Sequence, residues 1–393
     1  MQNVLSNPKP GATSNLAHLP YIDCLRALAC IAVIAVHTMS MTLPPIHSGV
    51  VYNALLSIAG RGWLGVHLFL VLSGFCLYHG VLKRATVAGA SIDLKRFGAR
   101  RCRRILPPYY LALLISALAG IAASIRNHLG VLASFNGVAD IPSHLLMIHN
   151  FSSRTMYSIN SPFWSLALES QLYLVFPLFV WIASKRGLAA LGVLAFTISA
   201  LYQFGVSHIV GRQPEWHLFG AAYYALPGRC FEFAVGMIAA ALVLRPVKYQ
   251  GKIAAVVVAL LAWPAWAAAA DQIRYTPFRD QIWGLIFASA AILCAKIPKE
   301  IFASRAGRVL PWIGAVSYST YLYHDPLINI FNPGRFGLAI INDASFVLFG
   351  MIRAALLIAF GGVMYHLWEE RFIDSKRAAS RRMPDNLQEN LLS

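Results

Sequence analysis

Two ionisable side chains stand inside an apolar run near the start of the chain. In YIDCLRALACIAVIAVHT, residues 21–38, Arg26 and His37 interrupt a segment otherwise suited to lipid. Eleven residues along a helix make three turns and about 20°, so the two groups share a face, about 16 Å apart along the axis. A charged side chain at the centre of a bilayer costs about 2.5–3.5 kcal/mol on insertion scales, so it persists there for a reason. Asp23, three residues before Arg26, is placed to pair with it. A neutral imidazole near pH 7 can take a proton from a hydroxyl. His37 is therefore a candidate general base; the plainer alternative is a hydrogen bond between helices.

A second concentration is KRFGARRCRRILPPYY, residues 95–110. Arg100, Arg101, Arg103 and Arg104 precede an apolar run, and the paired donors of a guanidinium match phosphate oxygens. The same arginines would equally serve as an orientation signal or hold lipid phosphates. Pro107 and Pro108 suit the first turn of the helix that follows. A third set lies in NSPFWSLALESQLYLVFP (160–177), PGRCFEFAVG (227–236) and SYSTYLYHDPL (317–327). These segments place Trp164, Ser165, Glu169, Tyr173, Arg229, Glu232 and His324 along and near the ends of apolar runs. Each alone fits interfacial packing, and Arg229 and Glu232 can neutralise each other on one helix face. Together they are expected to line a polar pocket that opens outward.

Such groups need a scaffold of membrane helices. Of 393 residues, 58% are hydrophobic and 12% charged, against roughly 25% charged in soluble domains. The expected fold is all-α: a polytopic integral membrane protein with about ten spans near 22–43, 62–82, 105–124, 163–184, 188–206, 221–244, 253–270, 281–297, 311–331 and 346–368. An even count puts both termini on one side. That side collects 24 of the 33 Lys and Arg residues, which makes the termini cytoplasmic by the positive-inside rule. The organisation expected is a cytoplasmic segment over 1–20, a transmembrane domain over 21–370 and a cytoplasmic tail over 371–393, with no large soluble domain. The net charge of +17 is then a matter of orientation and membrane lipids, with no nucleic-acid partner. Six cysteines without a CxxC pair read as reduced thiols. The motifs HExxH, GxSxG and the P-loop are missing, which leaves a soluble-type hydrolase, a metal centre or a nucleotidase without support.

With these motifs in hand, the chain resembles the acyltransferase-3 family of membrane O-acyltransferases. Arg26 and His37, with Asp23 before them, resemble the family's first-span pattern of an Arg, ten residues and a His. Ser73-Gly74-Phe75 resembles the end of its second-span pattern, and Arg101 and Arg104 its basic RxxR element before a Pro. Trp164, Ser165, Leu166, Glu169 and Tyr173 resemble its Trp-Ser-Leu…Glu…Tyr element. GRCFEFAVGM and SYSTYLYHDPL are similar to later elements. The likeness runs from about 20 to 370 in family order, with departures at His67 and Leu172.

That resemblance implies transfer of an acetyl or other short acyl group from cytoplasmic acetyl-CoA, or another acyl-CoA, to a hydroxyl of a surface glycan or glycolipid. It implies residence in a bacterial cytoplasmic membrane and a form without the extra esterase-like domain of some relatives. His37 would then act as base or brief acyl carrier, with Arg26 and Asp23 beside it. Arg100, Arg101, Arg103 and Arg104 would hold the CoA phosphates. The third set, Trp164 to His324, would orient the acceptor. Lipopolysaccharide, exopolysaccharide, peptidoglycan, a nodulation-type oligosaccharide and a macrolide all remain open as acceptors. Two rivals use the same residues without thioester chemistry: a transporter or flippase for an anionic amphiphile, and a scaffold for envelope assembly.

Overall fold

A computed structural model describes residues 19–40, 42, 44–88, 93–210, 220–268 and 278–373. The expected segment 1–20 and tail 371–393 lie outside the described residues except at 19–20 and 371–373. Among the described residues six helical stretches are long and apolar enough to cross a membrane: Pro20–Met39, Val50–Arg84, Leu94–Arg126, Phe163–Ile209, Ala221–Leu244 and Asp343–Phe372. Among the described residues the one strand-type pairing is the isolated His47–Asn342 bridge, so the architecture is all-helical.

Long apolar runs become helices because no water is present in hydrocarbon to satisfy the backbone. The first is α1, Pro20–Ser40. A short α2, Val50–Ala59, leads into α3, Leu64–Ala88. Next comes α4, Leu94–Arg126, which Asp93 caps by accepting the Arg96 N–H at 3.0 Å. This cap starts α4 well before the expected 105. The four arginines are therefore helical, and Pro107 and Pro108 sit inside α4 and not in its first turn. Nearby backbone carbonyls are used from outside: Tyr318 donates to Ile105 O at 3.0 Å and Trp368 to Pro107 O at 3.2 Å.

After the short α5, Asp140–Leu145, the chain enters α6, Phe163–Val210. It covers two of the expected spans in one stretch, broken at Gly187, whose φ of 88° favours glycine. A turn at α7, Gly220–Tyr223, leads to α8, Leu226–Leu244, and then α9, Gln250–Ala268. The last expected spans are shorter or interrupted: α10 is Arg279–Cys294, and Val316 separates α11, Val309–Ala315, from α12, Ser317–Ile330. The closing helix α13, Asp343–Met364, has a reciprocal Asn342–Ser345 cap and passes through a wide turn into α14, Glu370–Ile373.

The core centres on α3. Its Val71, Leu72 and Phe75 pack with Leu168, Leu172 and Phe176 of α6, with Phe233 and Met237 of α8, and with Ala288 and Ala291 of α10. The α3–α8 crossing is close because each helix meets the other's backbone at a glycine. A Cβ on Gly74 would collide with the Phe233 carbonyl, and one on Gly236 with the Val71 carbonyl. Small residues at such crossings permit the dispersion contacts that hold membrane helices together. Large apolar side chains such as Leu174, Leu201 and Leu260 remain exposed, as a lipid-facing surface requires.

Between α4 and α6 lies a compact cap. The imidazoles of His144 and His149, both fully buried, stack 3.9 Å apart at 6°. Asp140 faces His144 at 3.3 Å, and Tyr109 donates to the His144 carbonyl. Burial lowers both imidazoles, His149 to about 3. The folded cap thus holds neutral rings that the unfolded chain protonates near the ordinary histidine value of about 6.5. Its stability is full above that value and is lost as pH falls from there towards 3.

Two outcomes follow from this packing. Gly74→Ala and Gly236→Ala each lower the thermal midpoint of the detergent-solubilised protein, by an amount equivalent to about 1–3 kcal/mol. Amide hydrogen exchange over 140–160, corrected for intrinsic rate, accelerates between pH 6.5 and pH 4.5 in the wild type, and less in His149→Phe.

Candidate functional site

Helix α1 carries one polar cluster at each end. At the end shared with the start of α4, Arg26 donates from Nη1 to Asp23 Oδ1 at 2.7 Å and from Nη2 to Cys76 Sγ at 3.2 Å. Beside it, Glu169 accepts from the hydroxyls of Ser73 and Tyr173. The Arg101 guanidinium lies 5.8 Å from the centre of the Tyr173 ring. Ser319 donates to Glu369 at 2.5 Å, and the charges of Arg104 and Arg26 both reach that carboxylate. The arginine run divides by helical phase: Arg101 and Arg104 are half-buried on the face shared with buried Phe97, while Arg100 and Arg103 are exposed. Two half-buried guanidinia one turn apart on the same helix face are suited to a multiply charged phosphate ligand.

Towards the other end of α1, His37 meets α12. Its ring is 5.0 Å from that of His324, edge to face at 80°, and its Nδ1 is 3.8 Å from Asp325 Oδ1. The Nδ1 of His324 is 2.7 Å from the Tyr321 carbonyl. The Tyr321 hydroxyl lies 2.6 Å from Ser165 Oγ and donates to the Pro162 carbonyl. Ser165, His324 and His37 thus form one continuous polar set across α6, α12 and α1. An imidazole with a carboxylate near one nitrogen can pass a proton through the other.

The third assembly is a closed ion network at the starts of α3, α8 and α10. Glu232 faces His67 Nδ1 at 2.5 Å and Arg229 Nε at 3.3 Å. Arg229 Nη1 reaches Asp280 Oδ2 at 2.6 Å, and Gln203 donates to the same oxygen at 2.8 Å. All four charged or titratable side chains are at most 8% exposed. The Trp164 and Tyr224 rings lie 4.5 Å apart above it, with Arg229 5.8 Å from the Tyr224 centre.

The seven residues expected to line one pocket therefore separate into three groups. Glu169 and Tyr173 stand with Arg26 and Arg101. Ser165 and His324 stand with His37. Arg229 and Glu232 neutralise each other, as their spacing allows, but within a larger network, over which Trp164 lies. The partners His67, Asp280, Asp325, Glu369 and Cys76 were not singled out by spacing. Asp280 stands at the start of an apolar run with Arg279 and Gln281, the same kind of signal that marked Arg229. His67 lies inside an apolar run with no polar neighbour one turn away, and Cys76, though one turn from Ser73 and His79, reads as an ordinary thiol in an apolar run; sequence order does not reveal either. Among the described residues no group of three or more His, Cys, Asp or Glu side chains could hold a metal ion.

The sequence pattern described as an acyltransferase domain matches residues 19–368. The peptidoglycan O-acetyltransferase OatA of Listeria monocytogenes is 28% identical over 346 residues, covering 80% of this chain and 50% of the relative. YrhL of Bacillus subtilis, provisionally named for the same activity, is 26% identical over 343 residues, covering 82% and 50%. The chain thus spans about half the length of these two curated relatives. ORF330 of Acidianus two-tailed virus, provisionally named an acetyltransferase, is 26% identical over 309 residues, covering 78% of this chain and 82% of the relative. No solved structure matches the chain.

The buried network sets one outcome. Arg229→Gln leaves Glu232 and Asp280 without their shared cation and costs about 3–5 kcal/mol. Equilibrium unfolding in mixed micelles reads the loss, and the double substitution with Glu232→Gln is less destabilised than the single one.

Proposed function

This chain belongs to the acyltransferase domain family, and on that footing we propose that it moves a short acyl group from acyl-CoA to a hydroxyl of a glycan across a bacterial cytoplasmic membrane. The donor is acetyl-CoA or a near relative, bound from the cytoplasm, and the acceptor is a cell-surface or lipid-linked glycan on the far side. The names of two relatives favour a peptidoglycan-type acceptor. In this reading the chain crosses about ten times with cytoplasmic termini, which the distribution of basic residues supports. The transmembrane domain is then 21–370.

The observation that carries the reading is the polarity of α1. One helix holds Arg26 within the arginine–carboxylate cluster and His37 against His324 and Asp325, about 16 Å apart. Arg101 and Arg104 hold the CoA phosphates, with Arg100 and Arg103 adding to the field at the entrance. Arg26, steadied by Asp23, holds the inner part of the donor. The pantetheine arm runs between helices towards His37. There the acceptor hydroxyl attacks the thioester carbonyl and His37 takes its proton. The carbon–sulfur bond breaks, and CoA leaves as a thiolate that is then protonated. Asp325 favours the imidazolium formed in that step, and His324 with Ser165 orients the acceptor. Glu169 and Tyr173 line the donor path, while Trp164, Arg229 and Glu232 shape the acceptor side.

His37→Ala abolishes acyl transfer by purified, folded protein while acyl-CoA binding persists; full residual activity would overturn the role given to His37. Arg101→Ala with Arg104→Ala weakens CoA binding at least tenfold by equilibrium titration, and an unchanged affinity would remove the clamp. Release of free CoA thiol in the presence of acceptor separates this reading from transport.

A further inference from the structure

Arg353 lies within α13, inside the apolar stretch Asp343–Phe372, and is 2% exposed. Its guanidinium donates from Nη1, to Thr42 Oγ1 at 2.8 Å and to the Thr38 carbonyl at 3.5 Å. Its Nε is enclosed and meets no acceptor. Among the described residues no carboxylate pairs with it, whereas Arg26 has Asp23 and Arg229 has Glu232 and Asp280. Arg61 is also buried without a carboxylate, but its donors go to the Trp266 carbonyl and to Ser57, and its charge lies 4.5 Å from the Trp266 ring centre. Arg353 has no comparable set.

A guanidinium does not shed its proton. Arg353 therefore stays cationic in a low-dielectric setting, offset chiefly by the C-terminal carbonyls of α1, which attract a cation weakly. Leaving a buried charge uncompensated is strongly unfavourable. A site that retains such a charge is suited to an anion that arrives from elsewhere. Its location gives that anion a purpose. Thr38 directly follows His37, and Thr42 is one turn further along the chain. Cys30, Ile34, Ile328 and Leu357 close the α1–α12–α13 interface with apolar contacts. At the same end of the bundle, opposite Arg101 and Arg104, Arg126 and Arg335 line a cleft of about 440 Å³. Both are exposed, and neither pairs with a carboxylate among the described residues.

We propose that Arg353 receives an anionic group of the acceptor, a carboxylate or a phosphate ester, and so seats the neighbouring hydroxyl at His37. This rests on the acyl-transfer reading and narrows it: the acceptor is an acidic glycan or a phosphate-linked one, not a neutral polysaccharide. Arg126 and Arg335 draw it in by their field.

The test uses the full chain in lipid nanodiscs with saturating CoA, which fills the donor clamp. Acetate and inorganic phosphate are titrated separately at fixed ionic strength, and the thermal midpoint is followed. At least one of them raises the midpoint of the wild type, and which one does so distinguishes a carboxylate from a phosphate. The concentration needed rises at least tenfold in Arg353→Gln, stays near the wild-type value in Arg353→Lys, and is unaffected by Arg101→Ala with Arg104→Ala. No response of the wild type to either anion, or an equal response in Arg353→Gln, overturns the proposal. If Arg353→Gln does not fold, phenylglyoxal modification of the wild type mapped by mass spectrometry decides it. The effective anion must slow labelling of Arg353, and an unchanged rate overturns the site. CoA thiol release on the same samples reports the acyl-transfer reading separately.

Discussion

A guanidinium buried among helices keeps its charge, and much of this molecule is arranged around that constraint. Low-dielectric surroundings make an unpaired cation expensive, so Arg26 and Arg229 are held by neighbouring side chains. Arg26 pairs with Asp23 within α1 and ties that helix to α3 at Cys76. Arg229 gathers His67, Glu232 and Asp280 from three helices into a network with little access to solvent. The charges fix which helix faces meet, while the apolar residues between them fill the remaining space.

Close backbone approach makes those meetings possible. Gly74 and Gly236 let α3 and α8 touch main chain to main chain, which brings His67 within reach of Glu232. With bulkier residues the helices would separate, and the same ionisable groups would be left in hydrocarbon without partners. Packing and electrostatics here act on the same crossing. The cost of the buried charges is tolerable because the glycines allow the distances to be short.

Along α1 the two polar ends differ in kind. Near Arg26 the surroundings mix guanidinia with hydroxyl-bonded carboxylates, a setting suited to phosphate and to a positioned donor. Near His37 they comprise a second imidazole, a carboxylate and hydroxyls, a setting suited to moving a proton. Arg353 adds a cation just beyond that second end. The proposed acyl path follows this sequence of environments, with recognition of charge at both ends and proton transfer between them.

The sequence by itself determined that the chain is a bundle of membrane helices, because apolar runs of such length have no other way to satisfy their backbone. It also determined that Arg26 and His37 share a helix face, since helical period is a local property. The division of Arg101 and Arg104 from Arg100 and Arg103 was within reach of the same period, with Phe97 as the marker of the buried face. Tertiary structure decided the rest. Tyr321 linking Ser165 to His324, Asp280 completing the Arg229 network and Asp325 facing His37 all depend on helices far apart in the chain. So does the separation of Glu169 from Glu232, which occupy similar places at the starts of apolar runs. Helix period reports which side chains point the same way. Which helix stands opposite is set by the packing of the whole bundle, and no local pattern carries that information.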